Sequence, residues 1–306
     1  MDIANQMRVT ARFLDQAGHL CHFCDEGQTY LHYEGSEALQ VREPNMLEYD
    51  IFDIYFASFP HNLKDQLPKS LKRIHHFCGS EVRQFDIATA QNPFAVVKDG
   101  NSDKIKERVR RMAEISDACT LRDMELYDHV SEHFKRIFIV PRMLDLSTLD
   151  YHPYRGRRKP LIVHAPTDPN VKGTRFIVAA VEKLKRSFDF DFLLVAGMPH
   201  EKVTQIMAEA DLFIDQLHIG TYGVASIEAM ALGTPVVCYL SDYMQQYLPP
   251  NPIISATPLN IEEILAHHLS NPASLWGRRQ EGRAFVEAHH DAAKVVKQLV
   301  EVYEQL

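Results

Sequence analysis

The chain has 306 residues, 45% hydrophobic and 24% charged, and its 33 Lys and Arg against 41 Asp and Glu give a net charge of −8. That length predicts about two domains, with enough apolar surface for a core in each and no need of disulfide or metal staples. The acidic balance excludes sequence-blind nucleic-acid binding, which needs a basic face, and the apolar runs 176–181 and 192–198 are too short to span a membrane.

Residues 1–6 hold no apolar core, so a cleavable secretion signal is not expected. Five cysteines, an odd number, fit a reducing compartment. Residues 5–17 space Met7, Ala11 and Leu14 as a helix does, and Gly18 stands where a helix ends. Residues 19–25 read as a strand. In a strand Cys21 and Cys24 point to opposite faces, so their Cys-x-x-Cys spacing is not a metal half-site, and no second pair completes one. A further strand is expected at 51–56, a helix at 63–73, and a strand at 74–78 that stops at Gly79-Ser80. Residues 103–115 form a helix with Ile105, Val109 and Met112 on one face. Its Lys104, Lys106, Arg108, Arg110 and Arg111 are either a solvated face or a contact for phosphate or acidic lipid. A short strand at 137–140 is stopped by Pro141.

Residues 151–160, rich in Pro, Gly and Arg and without apolar period, are the best linker. Beyond them strand and helix alternate cleanly. Strands are expected at 161–164, 192–196, 212–214 and 235–239, with helices over 176–188, 203–210 and 224–232. Short loops between such elements predict parallel βαβ units in a doubly wound sheet. The chain is helical from Ile261 onward, with Val295, Leu299 and Val302 on one face of the last segment. These signals divide it into 1–150, 151–290, and a terminal helix 291–306 that packs back toward the first domain.

Several familiar sites are excluded by inspection. No two glycines stand one residue apart, so the dinucleotide fingerprint is absent, and there is no Walker loop, nucleophile elbow or H-E-x-x-H. Asp189-Phe190-Asp191 precedes its strand, whereas open α/β sheets bind ligands beyond the strands' carboxyl ends; a turn is its expected role. The informative stretch runs from Gly220 to Val237. Gly223 turns the chain into a helix whose first amides, at Val224 and Ala225, lack internal partners and form an anion site suited to a diphosphate. Glu228 lies about a turn and a half in, within reach of a ribose. Gly233 ends the helix and Pro235 opens the next strand.

Gly220-Thr221-Tyr222-Gly223 through Glu228-Ala229-Met230-Ala231-Leu232-Gly233-Thr234-Pro235-Val236 resembles the nucleotide-sugar signature of retaining glycosyltransferases of family 4, E-x-[FY]-G-x-x-x-x-E-A-M-A-x-G-x-P-V. His164-Ala165-Pro166-Thr167, with Val171-Lys172-Gly173-Thr174 after it, resembles that family's strand, loop and helix with a Lys-Gly pair. Ala210-Asp211-Leu212-Phe213-Ile214-Asp215-Gln216 resembles the strand leading to its donor site. His75-His76-Phe77-Cys78-Gly79-Ser80-Glu81-Val82-Arg83 is similar to an acceptor-side H-x-H-G-S-D-x-R run. The likeness covers 160–240 and 50–85. It implies the α/β GT-B fold, two Rossmann-like doubly wound domains facing across a cleft. The first is expected to be abbreviated: its first helix begins near Asn5, leaving no room for the usual opening strand and Gly-rich turn.

The resemblance also implies a reaction: a sugar moves from a nucleoside-diphosphate sugar to an acceptor hydroxyl with retention, and without a metal or resident cofactor. Lys172 and the amides of Val224 and Ala225 would hold the diphosphate, Glu228 the ribose, and domain closure would join donor to acceptor. His76 either contacts the sugar or is structural; Arg83 either binds an anionic acceptor or pairs with a carboxylate. Cell-envelope and lipid-linked glycans are among the acceptors allowed, in the cytoplasm or peripherally at the inner membrane face. Four departures weaken catalysis more than binding. Gly220 replaces the first glutamate of the family's pair, Cys78 replaces the histidine that approaches the transferred sugar, and Glu81 replaces an aspartate. An arginine that partners the phosphate lysine has no counterpart unless Arg155, Arg157 or Arg158 serves. The competing readings are a catalytically weak or inactive protein that binds a nucleotide-sugar or a partner protein, and an isomerase on the same fold.

Overall fold

The alternating signals resolve into two four-stranded sheets, every neighbouring pair of strands parallel. The structure is a computed structural model that describes residues 5–24, 39–40, 45–56, 67–153, 157 and 159–306. In chain order the elements begin with α1 (Gln6–Gln16), β1 (Ile51–Tyr55), β2 (Lys72–His76), α2 (Phe85–Gln91), α3 (Ser102–Ile115), β3 (Ala118–Leu121), α4 (Tyr127–Val130) and β4 (Ile137–Ile139). The second half adds β5 (Leu161–His164), α5 (Pro169–Lys172), α6 (Thr174–Leu184), β6 (Asp191–Leu194), α7 (His200–Glu209), β7 (Leu212–Ile214), α8 (Val224–Ala231) and β8 (Val236–Val237). It closes with α9 (Asp242–Gln245), α10 (Ile261–Ser270), α11 (Trp276–His289) and α12 (Ala292–Glu304). One compact unit contains 1–87, 99–145 and 290–306; the other contains 88–98 and 146–289.

In the first unit the strand order is β1-β2-β3-β4, with Tyr55, His76, Thr120 and Phe138 in one register row. Side chains alternate along a strand, so this row shares a face with Ile74 and Ala118. Val9 and Leu14 of α1 and Val295, Leu299 and Val302 of α12 cover that face. Each such fully buried apolar side chain contributes about 1.5–3 kcal/mol. The start of α12 is also fixed by backbone: the Leu144 amide donates to the His290 carbonyl at 2.8 Å and the Ala292 amide to the Leu144 carbonyl at 3.0 Å. The opposite face buries Cys119 and Leu121 against Ile105, Val109 and Met112 of α3. Asn101 caps α3, accepting from the Lys104 amide at 3.0 Å. The basic residues of α3 are a solvated face. Lys104 pairs with Asp99, Lys106 with Glu132, and Arg110 and Arg111 with Glu107, while Arg108 donates to the Glu81 carbonyl.

The second sheet runs β6-β5-β7-β8. His164 closes β5 with its ring buried: Nδ1 donates to the Ile214 carbonyl at 2.8 Å, which leaves Nε2 to accept from the Thr174 hydroxyl at 2.9 Å. Behind the sheet, Ile162, Ile177, Val181, Leu212, Ile214, Leu265 and Leu275 form one core. Gly233 ends α8 at φ +87°, and a Cβ there would stand 2.7 Å from the Tyr151 ring. The carbonyls freed at this helix end receive Arg279 (Gly233 O, 2.9 Å) and Arg283 (Ala231 O, 3.0 Å) from α11. Segment 88–98 is fixed by Asn92, which donates to the His218 carbonyl at 2.7 Å, and by His218 Nδ1, which donates to the Phe94 carbonyl at 2.7 Å.

Several expectations change. Residues 19–24 form no strand; Phe23 makes a single bridge with Gln40. Phe23 is nonetheless buried and Cys21 packs against the first core, so the segment is fixed by side chains rather than by a ladder. Residues 67–71 are turns, not helix, with Lys72 already in β2; residues 63–66 of the expected helix lie outside the described residues. Strand β3 was not expected, because all four of its residues are buried and show no alternation. The division falls after Asp145, not within 151–160, since Tyr151 lies on Gly233 and the His152 amide donates to the Leu232 carbonyl. Residues 1–4, ahead of α1, are outside the described set.

Candidate functional site

The chain leaves β5 for β6 on one side and reaches β7 on the other, so the loops beyond β5 and β7 part at a topological switch point, the usual place for a ligand in an open α/β sheet. Asp168 caps the short turn α5, accepting from the Asn170 amide at 3.0 Å and the Val171 amide at 3.2 Å, with Pro169 at its start. Gly173 then takes φ +76°, and a Cβ there would press on Leu217 and His218 at 3.1 Å. These constraints fix the backbone from which Lys172 projects. Its ammonium lies 2.5 Å from Asp215 Oδ1 and donates to Gln216 Oε1 at 2.8 Å.

Asp215 gathers the site. Its Oδ2 accepts from the Gly223 amide at 3.1 Å and the Ser226 hydroxyl at 2.6 Å. Burial disfavours its charge, yet Lys172 and these hydrogen bonds outweigh burial and hold the carboxyl below its usual pKa. Gly223 is needed for space: a Cβ would stand 3.2 Å from Asp215 Oδ2 and 3.6 Å from the Lys172 ammonium. It is also the N-cap of α8, and among the described residues no side chain caps that helix, so the amides of the half-buried Val224 and Ala225 meet no side-chain acceptor. Glu228, farther along α8, is buried and 2.7 Å from Nε2 of His200, the first residue of α7. Burial lowers the His200 pKa and the Glu228 carboxylate raises it; the net shift is upward. Lys172, Gly223, Val224, Ala225 and Glu228 thus belong to one end of one sheet, and Asp215, Gln216, Ser226 and His200 join them there. Sequence reading assigns none of those four a role of its own, although Asp215 and Gln216 end the stretch that resembles the strand leading to the donor site and Ser226 lies within 220–237. The other signal was that Asp215-Gln216 follows a strand and that His200 follows Gly197-Met198-Pro199 at a helix start.

The first unit's two candidate site residues both have partners within the fold. His76 is 1% exposed, under the stacked ring of Tyr55 at 4.5 Å. Its Nδ1 meets the Thr120 hydroxyl at 2.7 Å and its Nε2 lies 3.2 Å from Asp53, which also accepts from Tyr303. In the sheet it fills a position on the face that α12 covers, the structural one of the two roles read for it. Arg83 is buried in a bidentate pair with Glu125, at 2.6 and 2.8 Å, so its charge is matched within the fold. Gly79 makes room for it: a Cβ would meet the Arg83 guanidinium at 2.9 Å. Glu81 takes the Cys78 and Gly79 amides on its two oxygens and closes the turn.

Arg157 pairs with Glu209 at 2.9 Å; Arg155 and Arg158 lie outside the described residues. Asp189 and Asp191 sit at the amino end of β6 on Lys159, at 3.1 and 2.9 Å. Among the described residues no three His, Cys, Asp or Glu side chains form a metal-ligand set, and no helix is long and apolar enough to cross a membrane. Cys21 and Cys24 are free thiols.

No protein-family profile matches the chain. It is 25% identical over 203 residues to the MMP alpha-(1->4)-mannosyltransferase of Mycolicibacterium hassiacum, a match covering 56% of this chain and 49% of that protein, so the chain spans about half of that curated relative. The fold is similar to that of sucrose-phosphate synthase from Thermosynechococcus elongatus (TM-score 0.68, 13% identity, 97% of this chain and 92% of that one). It is also similar to HepE of Anabaena, solved with UDP and glucose (TM-score 0.58, 13% identity, 85% and 78% of the chains). The two units are Rossmann-like domains of the GT-B fold.

Proposed function

We propose that this protein is a glycosyltransferase that moves a sugar from a nucleoside-diphosphate donor to an acceptor hydroxyl, with retention at the anomeric carbon and without a metal. The reading is carried by the convergence of Lys172, Asp215, Gly223 and Ser226 at the uncapped start of α8. A diphosphate would take the Lys172 ammonium and the amides of Val224 and Ala225, which stabilise the charge that develops as the bond from anomeric carbon to phosphate oxygen breaks. The acceptor oxygen forms the new bond and its proton leaves with the diphosphate. Glu228, oriented by His200, would receive the ribose hydroxyls. The mannosyltransferase relative and the UDP and glucose bound to HepE support a nucleotide-sugar donor. Five free thiols support a reducing, cytoplasmic setting.

One observation favours a weakly active or purely binding protein. Gly220 stands in the position of the family's first glutamate at φ +83°, where a Cβ would crowd Asn92 and Ser241 at 3.0 Å. The backbone here is therefore built for glycine and no carboxylate can replace it without strain. A thermal-shift series with UDP-, GDP- and ADP-sugars separates the two readings. The expected result is stabilisation by one donor class, lost in Glu228→Ala, with slow donor hydrolysis by the wild type. Stabilisation without hydrolysis or transfer supports the binding protein, and no stabilisation by any nucleotide-sugar overturns both.

A further inference from the structure

The carboxyl edge of the first sheet holds a buried positive charge that the donor site does not use. Arg122 directly follows β3, just beyond the last paired residues His76 and Thr120, and Cys78 lies two residues beyond β2. Arg122 is 5% exposed, and its Nε and Nη2 have no hydrogen-bond partner among the described residues. Its guanidinium carbon lies 5.9 Å from the centre of the Tyr55 ring, and its side chain reaches the Cys78 thiol.

Three other arginines of this unit have a carboxylate: Arg83 has Glu125 at 2.6 Å, Arg142 has Asp123 at 3.0 Å, and Arg12 has Asp145. Among the described residues, none is paired with Arg122. Asp53 takes Tyr303 and His76 on Oδ2 and makes no ion pair with Arg122, although its Oδ1 has no partner among the described residues, and Glu81 takes the amides of its own turn. Cys78 does not supply the missing charge. Burial and the nearby Glu81 carboxylate push its thiol up to about 12, so it is neutral. A buried guanidinium without a counter-ion is unfavourable. Its planar fork matches a phosphate or carboxylate, and it stands at the strand ends where open α/β sheets take ligands. Cys78 and Ser80, in the loop beyond β2, are only half-buried, so the edge is partly open to solvent.

We infer that Arg122 anchors an oxyanion site in the first unit, taking the phosphate or carboxylate of a small ligand. This rests on the proposed transferase reading in one respect: there, the ligand is an acceptor sugar that carries such a group. Calorimetric titration of the full chain with inorganic phosphate, glucose 6-phosphate and glucuronate tests the site and distinguishes the two anion sources. At least one is expected to bind the wild type and Lys172→Ala alike, and at least tenfold more weakly to Arg122→Gln, which is about 1.4 kcal/mol. Arg122→Gln removes an unmatched charge and is expected to fold. Arg122→Lys, which keeps the charge without the fork, is expected to bind with intermediate affinity. Undiminished anion binding by Arg122→Gln, loss in Lys172→Ala instead, or no binding of any of the three anions to the wild type overturns the assignment. UDP, GDP and ADP titrated in parallel report the donor site alone: failure of all three to bind, beside intact phosphate binding, refutes the donor reading and leaves the Arg122 site standing.

Discussion

Replacing Lys172 by Ala strands a carboxylate in the interior. Asp215 has a side-chain exposure of 2%, and Lys172 is its one cationic partner among the described residues, at 2.5 Å. Breaking a buried pair from one side costs about 3–5 kcal/mol, since the remaining charge stays uncompensated. Here the Ser226 hydroxyl and the Gly223 amide still solvate Asp215, which places Lys172→Ala near the lower bound, at roughly 3 kcal/mol. With about 2–4 °C per kcal/mol for a unit of this size, the melting midpoint falls by about 6–12 °C. Asp215→Asn removes the other charge and keeps a side chain of the same shape, so Lys172→Ala in that background is expected to cost under about 1 kcal/mol. The difference is a coupling energy of about 2 kcal/mol, measured by urea denaturation of the four proteins. The pH dependence has a definite sign. In the wild type Asp215 has a depressed pKa, so its contribution is present above the unfolded value and is lost as pH falls through the folded one. Without Lys172 the carboxyl rises instead, and the deficit of the variant shrinks toward acid. A single-variant cost below about 0.5 kcal/mol, or a coupling near zero, would refute the view that this pair organises the site.

Two further outcomes follow from buried charge. Arg83→Met leaves Glu125 buried without its bidentate partner, and a loss of about 3–5 kcal/mol is expected in urea denaturation, largely restored by adding Glu125→Leu. If Arg83 were instead held for a ligand, the single variant would be nearly neutral. Burial lowers His75 to about 3 and His129 and His164 to about 4, so each is neutral in the folded chain and protonates on unfolding near pH 6.5. Their contribution is intact above that pH and is lost as pH falls, by up to about 1.4 kcal/mol per unit for each histidine. Stability compared at pH 7.5 and 5.5 is expected to drop, and less so in His164→Gln; an equal slope in that variant would remove His164 from the account.

The second domain was legible because its chemistry is local. Gly223, the amides that follow it, Glu228 and Gly233 lie within one helix and its ends, where a cap, a turn and a spacing can be read directly from residue types. Asp215 and His200 were not legible in that way. Each acts through a residue from another element, Lys172 beyond β5 and Glu228 in α8, and no spacing rule connects them. The first domain misled for the same reason. A histidine at a strand end, or an arginine after a tight turn, has the same local signature whether it meets a ligand or a neighbouring strand. For His76 and Arg83 the deciding partners, Thr120 and Glu125, are more than forty residues away.

Composition and periodicity alone therefore determined an acidic, two-domain α/β chain with parallel sheets and a helix start near Val224 with no side-chain cap. They could do so because backbone capping and hydrophobic period act over a few residues. Only the tertiary structure decided which charges are already matched. Pairing depends on what lies within about 4 Å after folding, and among the described residues it matches Arg83, joins Lys172 to Asp215, buries His76 and leaves Arg122 without a carboxylate.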